Sequence, residues 1–483
     1  MNNPILLFPI LFPIVCGAWM FYRPFEDRNL RNKYVGAVTL FNSIMILLLV
    51  WFPPEHCVVF TMTERISLAL RMDGMSRVFA TIVSVLWPIA VLYSFDYMKI
   101  EHNENRFFAF YTMTYGVVMG IATAENYFTL YLFYELLTLA TLPLVMHEMD
   151  PRSRFAGKRY ILYSMSGAAM AFIAMVIVLN NGSLEYVMGG AAGVTGKTAQ
   201  IVFLLGFFGF GAKAAIFPLH AWLPTAGVAP TPVTALLHAV AVVNAGLFAI
   251  LRLIYFCIGA EVLAGTTAQM IAACFASFTV IYGSFMAVRN KNVKRKLAFS
   301  TISNLSYILI GAVMMSPAGL TGALMHMVMH SVMKIELFFC AGAMLVLTHH
   351  KCKTLEDYEG LGQKVKIIFG VYSLAALALI GMPPFCGFSS KWSIFMAAMQ
   401  NGTWYSILGV IALCVSAFLT GIYLWDTLIW ALWPRKDAVI KEIPIEQPGK
   451  AMKASLIIVA VLILLTSIFA TQIYGLLGRV AGL

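Results

Sequence analysis

Ionisable side chains lie inside long apolar stretches of this sequence. Lys213 begins the run KAAIFPLHAWLPTAGVAPTPVTALLH, which ends at His238, and Glu135 lies within NYFTLYLFYELLTLATLPL. Amines, carboxyls and imidazoles take up and release protons, and carboxylates and imidazoles also bind cations. Inside apolar segments these residue types indicate a path for protons or small cations.

Two histidines and a lysine recur at intervals of four in HMVMHSVMK, as His326, His330 and Lys334. Residues four apart share one face of a helix, so we expect these side chains in one stripe, as a proton relay requires. Two histidines could also bind a metal, but the first is not followed by the glutamate of the zinc motif HExxH. Glu336 points away from the stripe, and we expect it to pair with another helix.

Glu135 and Lys213 are expected to form a pair, because opposite charges within about 4–6 Å stabilise each other. Separating them would let desolvation favour the neutral lysine. A lysine between these two states can accept and pass on a proton near neutral pH. His238 could connect this pair to the stripe, or it could be a hydrogen-bonded packing residue.

Prolines interrupt the apolar runs beside two of the lysines. Pro218 and Pro224 follow Lys213, and the segment MPPFCGF, with Pro383 and Pro384, precedes Lys391. Proline removes a backbone donor and clashes with the preceding turn, so we expect broken helices at both places. Non-helical backbone at membrane depth is tolerated only where it contacts protein or lines a water-filled cavity.

The composition excludes a soluble globule. Of 483 residues, 60% are hydrophobic and only 11% are charged, whereas soluble domains contain about 25% charged residues. A spanning helix needs about 20 apolar residues, which predicts an all-α polytopic membrane protein with about fourteen spans. The predicted spans are 4–22, 34–52, 75–95, 107–123, 126–146, 160–180, 199–228, 233–257, 264–288, 297–315, 319–348, 366–398, 404–430 and 453–476.

The basic residues are distributed unevenly between alternate loops. Of 33 Lys and Arg residues, 24, including Lys296, fall in the loops after odd-numbered spans. Six, including Arg252, fall in the other loops or at the termini, and three, Lys213, Lys334 and Lys391, fall inside spans. The positive-inside rule therefore predicts that both termini lie outside the cytoplasm. The net charge of +11 reflects membrane topology and does not indicate nucleic-acid binding.

The chain is predicted to be a single membrane domain, 1–483. Spans one to three occupy 1–106, a first unit of five spans 107–257, a second unit 264–430, and a last span 453–476. An odd number of spans per unit makes the two units inverted repeats, spans four to eight and nine to thirteen. Their broken members, spans seven and twelve, are the sequence features that indicate a transport site.

Other chemistry is not predicted for this chain. The eight cysteines are scattered without a CxxC pair, which argues against a cluster, a zinc site or a disulfide framework. The segment AAGVTGKT at 191–198 fits a relaxed phosphate-loop pattern, but it lies between spans with no room for an α/β domain. The N-terminal run is expected to be a retained span and not a cleaved signal peptide.

Four segments occur in the order AKAAIFPLHAWLPTAGVAPTPVTALLHA, KNVKRKLAFSTISNLSYILIG, HMVMHSVMKIELFFCAGA and IGMPPFCGFSSKW. Together they closely resemble the antiporter-like subunits of respiratory complex I, energy-converting membrane-bound hydrogenases and Mrp-type cation/proton antiporters. The resemblance implies fourteen core helices, two inverted five-helix repeats and a row of titratable residues at mid-membrane. By motif, the row comprises Glu135, Lys213, His238, His326, His330, Lys334 and Lys391.

The resemblance implies an H⁺- or Na⁺-translocating subunit of a multisubunit redox complex in the prokaryotic cytoplasmic membrane. Its partners would be other membrane subunits, including further antiporter-like subunits, and a peripheral redox arm. No cofactor is expected in this chain, so any iron–sulfur, nickel–iron, flavin or quinone group would belong to partners. The alternatives are a Mrp-type exchanger that moves Na⁺ against H⁺ without redox chemistry and, less favoured, a lone solute transporter.

Overall fold

The computed structural model describes residues 3–434 and 445–483, and most of them are helical. In chain order the α-helices are α1 Phe8–Tyr22, α2 Arg28–Trp51, α3 Gly74–Tyr97, α4 Glu104–Ala122, α5 Tyr127–Val145, α6 Pro151–Asn181, α7 Gly196–Gly211, α8 Trp222–Ala226, α9 Thr231–Ala239, α10 Val242–Arg252, α11 Ala260–Leu263, α12 Thr267–Arg289, α13 Val293–Ala312, α14 Pro317–Leu347, α15 Lys366–Ile380, α16 Cys386–Asn401, α17 Trp404–Leu432, α18 Lys450–Ile468 and α19 Ala470–Ala481. Short 3₁₀ segments are Pro4–Leu7, Met98–Ile100, Leu355–Tyr358 and Leu361–Gln363, and Leu253–Ile258 is a π-helix.

Polar side chains begin many of the helices. Asp73 accepts a hydrogen bond from the Ser76 amide at 2.9 Å at the start of α3, and Ser316 accepts one from the Gly319 amide at 3.1 Å at the start of α14. Such caps satisfy backbone donors that the helix itself leaves free. Within the described part of the chain, ten helices are long and apolar enough to cross a membrane.

Helix α14 lies at the centre of the molecule. Nearly all of its apolar window is buried, whereas less than half of the corresponding window of α6 is buried. It packs against α3, α9, α13, α15, α16, α18 and α19. Charged side chains on α14 are therefore surrounded by protein.

Both predicted breaks are present. Helix α7 ends at Gly211 and regular helix resumes only at Trp222, while α15 ends at Ile380 and α16 begins at Cys386. Pro218, Pro383 and Pro384 lie in the non-helical segments, and Pro224 lies inside the short α8. At the first break the Trp222 indole donates to the Ala212 carbonyl at 2.7 Å and so satisfies a carbonyl that α7 leaves free.

Two features were not predicted. The eighth predicted span is not continuous, because α9 ends at Ala239 and α10 begins at Val242. A β-hairpin, β1 Cys57–Thr63 paired antiparallel with β2 Ile66–Leu70, follows α2. Most of β1 is exposed, whereas Leu68, Ala69 and Leu70 of β2 are buried. Both strands are far shorter than the roughly 20-residue apolar runs that predict spanning helices.

The loop assignment of Arg252 is wrong. Arg252 is the last residue of α10, is fully buried, and donates to both carboxylate oxygens of Asp73 at 2.6 and 2.7 Å. Burial alone would raise the pKa of Asp73, but Arg252 and Ser76 lower it to about 2. The buried charge of Arg252 is therefore tolerated at the end of α10 because Asp73 supplies the opposite charge.

Lys296 was also assigned to a loop, and the structure places it inside α13 without exposed surface. Its amine donates to Asp426 of α17 at 2.7 Å. The positive charge near the helix start is therefore paired within the protein and is not free in a loop.

Candidate functional site

Lys213 lies two residues beyond the end of α7 and is fully buried. Its amine donates to the backbone carbonyl of Tyr134 on α5 and lies 3.3 Å from the centroid of the Tyr134 ring. The carbonyl and the face of the ring both favour a cation. One break in the helix thus brings the lysine amine against α5.

Glu135 follows Tyr134 on α5 and is only partly buried. Its Oε1 atom is buried and has no hydrogen-bond partner among the described residues. No hydrogen bond or close ion pair joins Glu135 to Lys213 among the described residues, and the amine bonds to the Tyr134 carbonyl in this conformation. Successive helix residues are rotated by about 100°, so a lysine against Tyr134 does not face the next side chain. The two groups still interact electrostatically.

His238 lies in the last turn of α9 and has no exposed surface. Its ring centroid is 4.8 Å from that of Phe338 on α14, and neither ring nitrogen has a partner in residues 3–434 and 445–483. The alternative interpretation, a hydrogen-bonded packing histidine, does not fit this arrangement. Asn244 donates to the Ala239 carbonyl at 2.9 Å and to the Ser331 hydroxyl at 2.8 Å, which joins the end of α9 to α14.

The expected stripe is present on α14. His326, His330 and Lys334 are all fully buried, and the two imidazole centroids are 6.2 Å apart. His326 Nδ1 lies 2.9 Å from the Ser390 hydroxyl of α16, while both nitrogens of His330 lack a partner within the described chain. The stripe therefore contains imidazole nitrogens able to accept or donate a proton.

Lys334 is held by a series of hydroxyls that we call the hydroxyl chain: Ser300 of α13 and Tyr423 and Thr420 of α17. The Lys334 amine donates to the Ser300 hydroxyl at 2.7 Å and to the Leu297 carbonyl at 3.2 Å. Ser300 lies 2.6 Å from the Tyr423 hydroxyl, which in turn donates to Thr420 at 3.2 Å. Linked hydroxyls can both accept and donate protons.

Lys391 lies in α16, and its side chain reaches back to the second helix break, between α15 and α16. Its amine donates to the carbonyls of Leu379 at 2.6 Å and Ile380 at 3.1 Å, which α15 leaves free at its end. A cation is favoured there by the helix dipole. The Lys391 amine also lies 5.1 Å from the centroid of the Tyr307 ring, which is 5.4 Å from the His326 imidazole, so Lys391 lies close to the α14 stripe.

Glu336 does not pair with another helix through a hydrogen bond, contrary to the prediction. It is fully buried, its Oε1 accepts from the Cys340 thiol of the same helix at 3.8 Å, and its Oε2 has no partner within the described residues. Residues four apart on one helix face each other, which the prediction did not consider.

The predicted residues are brought together in part. On α14 and α16 the groups follow one another closely, and His238 interacts electrostatically with His330 and Lys334. No direct bond joins Lys213 to His238 or to Glu135 among the hydrogen bonds of the described residues.

Sequence reasoning missed several polar contributors. Ser300 lies in LAFSTISNLSY of a predicted span, and Tyr423, Ser390 and Asn244 also lie in apolar runs. Small polar residues in such runs are a usable signal, because a buried hydroxyl or amide requires a partner. Charged residue types alone do not reveal these hydroxyl and amide groups.

Within the described residues, a helical bundle with ten potential spans and a buried row of titratable groups defines a polytopic membrane protein with ionisable side chains in its interior. Residues 124–420 match the family described as NADH:quinone oxidoreductase/Mrp antiporter, TM, and residues 60–108 match NADH-Ubiquinone oxidoreductase (complex I), chain 5 N-terminus. The first match covers more than half of the chain. The chain belongs to this family of antiporter-like membrane subunits, as its four motifs indicated.

Similar curated proteins come from three kinds of complex. The chain is 31% identical to NADH-quinone oxidoreductase subunit L of Mycobacterium tuberculosis over 390 residues, which is 80% of this chain and 60% of that protein. It is 29% identical to a Na(+)/H(+) antiporter subunit of Alkalihalophilus pseudofirmus, covering 76% and 48% of the two chains, and 29% identical to Hydrogenase-4 component B of Escherichia coli, covering 74% and 56%. The chain thus spans roughly half to three fifths of these relatives.

Solved structures share the fold over the whole chain. A chain of the Mrp complex from Dietzia sp. matches with a TM-score of 0.85 at 19% identity, covering 99% of this chain and 96% of that chain. A chain of respiratory complex I from Thermus thermophilus matches with a TM-score of 0.84 at 20% identity, covering 99% of both chains. The protein is a multi-pass integral membrane protein with this fold.

Proposed function

We propose that this chain translocates H⁺ or Na⁺ as an antiporter-like subunit of a multisubunit membrane complex. The observation that supports this most directly is the stripe on α14, where His326, His330 and Lys334 are buried without an acidic ion-pair partner in the described chain. Charged groups inside a membrane are costly and mark ion pathways. A chain that keeps several of them unpaired is using them.

The two ends of the row have different roles in this proposal. Glu135, Lys213 and His238 load an ion from one side, and His326, His330, Lys334 and Lys391 deliver it to the other. The switch is the distance between Glu135 and Lys213. The structure has Lys213 bonded to the Tyr134 carbonyl, and we assign this to the separated state of the switch.

The switch needs a partner that moves Glu135. Its carboxyl lies in a face of α5 and α6 that exposes large apolar residues, among them Leu139 and Phe172. A neighbouring membrane protein of the complex would cover this face and bring its own charge near Glu135. When that charge attracts Glu135, Lys213 loses its counter-ion and its proton moves towards His238.

The finer architecture is part of the proposal. It comprises fourteen spans, with spans four to eight and nine to thirteen as inverted repeats and both termini outside the cytoplasm. The two breaks support the repeats, because each lies beside a buried lysine and each lysine amine bonds to backbone carbonyls. Paired broken helices of this kind are typical of transport sites.

The favoured complex is a complex I-like redox complex of a prokaryotic cytoplasmic membrane, such as an energy-converting hydrogenase. Its electron-transferring cofactors and peripheral redox arm would belong to partner subunits. The second candidate is a Mrp-type Na⁺/H⁺ exchanger without redox activity, favoured by the relative named as part of an antiporter and by the Mrp-complex chain of the same fold. Neighbouring genes for redox subunits would separate the two, and sodium stimulation of turnover by the intact complex would identify the ion.

The test is ion pumping by the assembled complex in inverted membrane vesicles. We expect Lys213→Ala and Glu135→Ala each to reduce pumping about tenfold or more, as expected for loss of a proton-transfer group. Lys197→Ala, a change at an exposed lysine at the start of α7, is the matched control and should pump normally. Normal pumping by both Lys213→Ala and Glu135→Ala would falsify the proposal.

A further inference from the structure

A large cavity opens on the side of the molecule predicted to face the cytoplasm. Its volume is about 990 Å³, and it lies where α3, α5, α9, α13 and α14 end or begin. Glu101, Glu148, Lys294 and His350 are among its lining residues. None of these groups belongs to the row from Glu135 to Lys391, so the proposed pathway leaves them without a role.

Two carboxyl groups in this cavity share a hydrogen bond. The side chains of Glu101 and Glu148 are bonded to each other, and the side chain of Glu101 is only 9% exposed. A hydrogen bond between two carboxyls requires a proton on one of them. Burial first, and then the charge of Glu148 and the bond to it, raise the pKa of Glu101 to about 7. Because this pKa is raised, the pair holds a proton below neutral pH and loses it above.

Other groups face Glu101 from each packed element. Lys294 of α13 attracts its charge and donates to the Ala229 carbonyl at 2.8 Å. His350, just after α14, places Nε2 3.5 Å from the Glu101 carboxylate, and the Tyr97 hydroxyl at the end of α3 interacts with Glu101 as well. A simple clamp between loops would need only one carboxylate against the Lys294 amine. The second carboxylate opposes such a clamp, so the pair requires another explanation.

A series of hydroxyls leads inward from the pair. The Tyr97 hydroxyl interacts with the Glu101 carboxyl and accepts a hydrogen bond from the Thr231 hydroxyl at 3.2 Å. Thr231 is the first residue of α9, and His238 lies seven residues further along the same helix, a rise of about 10 Å. Both nitrogens of His238 are without partners in the described chain. The cavity, the carboxyl pair, the two hydroxyls and the imidazole therefore follow one another from the cytoplasmic end of α9 towards its last turn.

We propose that Glu101 and Glu148 form a proton-collecting site that loads His238 from the cytoplasmic cavity through Tyr97 and Thr231. A proton from water in the cavity protonates the pair. The Tyr97 and Thr231 hydroxyls first rotate, so that Tyr97 donates to Thr231. Glu101 then passes its proton to the Tyr97 oxygen while Tyr97 gives its own proton to Thr231, and Thr231 likewise releases one towards the imidazole. Bridging water completes the last leg along α9. His238 becomes charged, Glu101 returns to a carboxylate, and no proton is gained or lost. This inference rests on the proposed translocating function.

The test uses the assembled complex in inverted vesicles, whose cytoplasmic face is accessible. The complex is driven by its redox reaction, or by an imposed Na⁺ gradient if it is an exchanger. Initial pumping rates are measured from about pH 6 to about pH 8.5. For Glu101→Gln we expect roughly wild-type rates at the lowest pH and about fivefold lower rates above pH 8, because collection then depends on scarce free protons. Glu446→Gln, which removes an exposed carboxylate paired with His349 at the same face, is the matched control.

Two further variants distinguish proton collection from a merely structural role. Glu148→Gln removes the charge that raises the pKa of Glu101, so the midpoint of the rate profile should shift to lower pH. Tyr97→Phe should reproduce the profile of Glu101→Gln, because the first hydroxyl is lost. Wild-type profiles for Glu101→Gln and Tyr97→Phe, in a complex where Lys213→Ala stops pumping, would overturn this inference and leave the proposed function standing. Normal pumping by Lys213→Ala would instead overturn the proposed function.

Discussion

The surroundings of Lys213 and Lys334 differ although both lysines are fully buried. The Lys213 amine contacts a backbone carbonyl and the face of the Tyr134 ring, with no side-chain hydroxyl bonded to it in the described residues. The Lys334 amine bonds to Ser300, which continues into the hydroxyl chain. A carbonyl cannot donate a proton, whereas a hydroxyl can. We infer that the Lys213 region stores a charge and that the Lys334 region conducts one.

Loss of Lys334 tests the conducting region and should have the largest effect. Lys334→Ala removes the amine that joins the hydroxyl chain to the stripe, and it leaves His330 without a neighbouring group to receive its proton. We therefore expect pumping to fall about tenfold or more. Pumping is measured in inverted vesicles, with the driving reaction followed in parallel. Lys366→Ala removes an exposed lysine at the start of α15 and should leave pumping unchanged. Pumping above half of the wild-type rate would show that the stripe on α14 is not on the path.

Two tyrosines next to these lysines sharpen the difference. Tyr423→Phe breaks the hydroxyl chain, and loss of one such bond should reduce pumping about three- to tenfold. Tyr134→Phe keeps the carbonyl and the aromatic face that Lys213 contacts, and removes only long contacts of the hydroxyl to the carbonyls of Gly209 and Phe210 at 3.4 and 3.3 Å. We expect less than about a twofold change for it.

The decisive result is which of the two variants, Tyr423→Phe or Tyr134→Phe, loses more pumping. Equal losses of pumping would mean that the two lysines depend equally on the neighbouring tyrosine hydroxyl. A larger loss in Tyr134→Phe would reverse the assignment of storing and conducting regions. Both changes remove one hydroxyl from a fully buried ring. Because Tyr423 makes the shorter hydrogen bonds, pumping is compared per assembled complex, so that a difference in stability does not count as a difference in conduction.

The sequence predicted the helical membrane fold and both proline breaks because apolar runs and prolines act locally. It also predicted the stripe on α14, since spacing along one helix fixes which side chains share a face. The break after His238 was not predictable in this way, because neither Val240 nor Ala241 disfavours a helix strongly. Its stabilisation comes from Asn244, which bonds to the Ala239 carbonyl and to another helix.

Contacts between distant segments account for the remaining errors. The hydroxyl chain joins α13 to α17, more than a hundred residues apart, and the pair of Arg252 with Asp73 joins α10 to the start of α3. A single sequence contains no signal for which helices meet. Opposite charges alone predicted the Glu135–Lys213 pair. The two groups interact electrostatically, and the lysine amine bonds to the Tyr134 carbonyl one residue away.

Arg252 and Asp73 form an ion pair, unlike the titratable groups of the row from Glu135 to Lys391. We expect this pair to contribute to stability and to have the smallest effect on pumping. Because the pKa of Asp73 is lowered to about 2, its stabilising contribution is complete above about pH 5 and is lost as pH falls from about 4 towards 2. We expect Asp73→Asn to lower the free energy of unfolding by about 2 kcal/mol or more at neutral pH. Pumping per assembled complex should stay within about twofold of wild type.

The measurement is thermal unfolding of the purified protein in detergent at neutral pH and near pH 3. Asp27→Asn is the matched control, since Asp27 also caps a helix and accepts from the Asn29 amide at 2.9 Å but is exposed. In Asp27→Asn the free energy of unfolding should fall by about 1 kcal/mol or less. The difference in unfolding temperature between the wild type and Asp73→Asn should be smaller near pH 3 than at neutral pH, because protonation of Asp73 removes the charge from the wild type too. A stable Asp73→Asn complex that fails to pump would place this pair in the ion path and end the distinction between paired structural charges and unpaired functional ones.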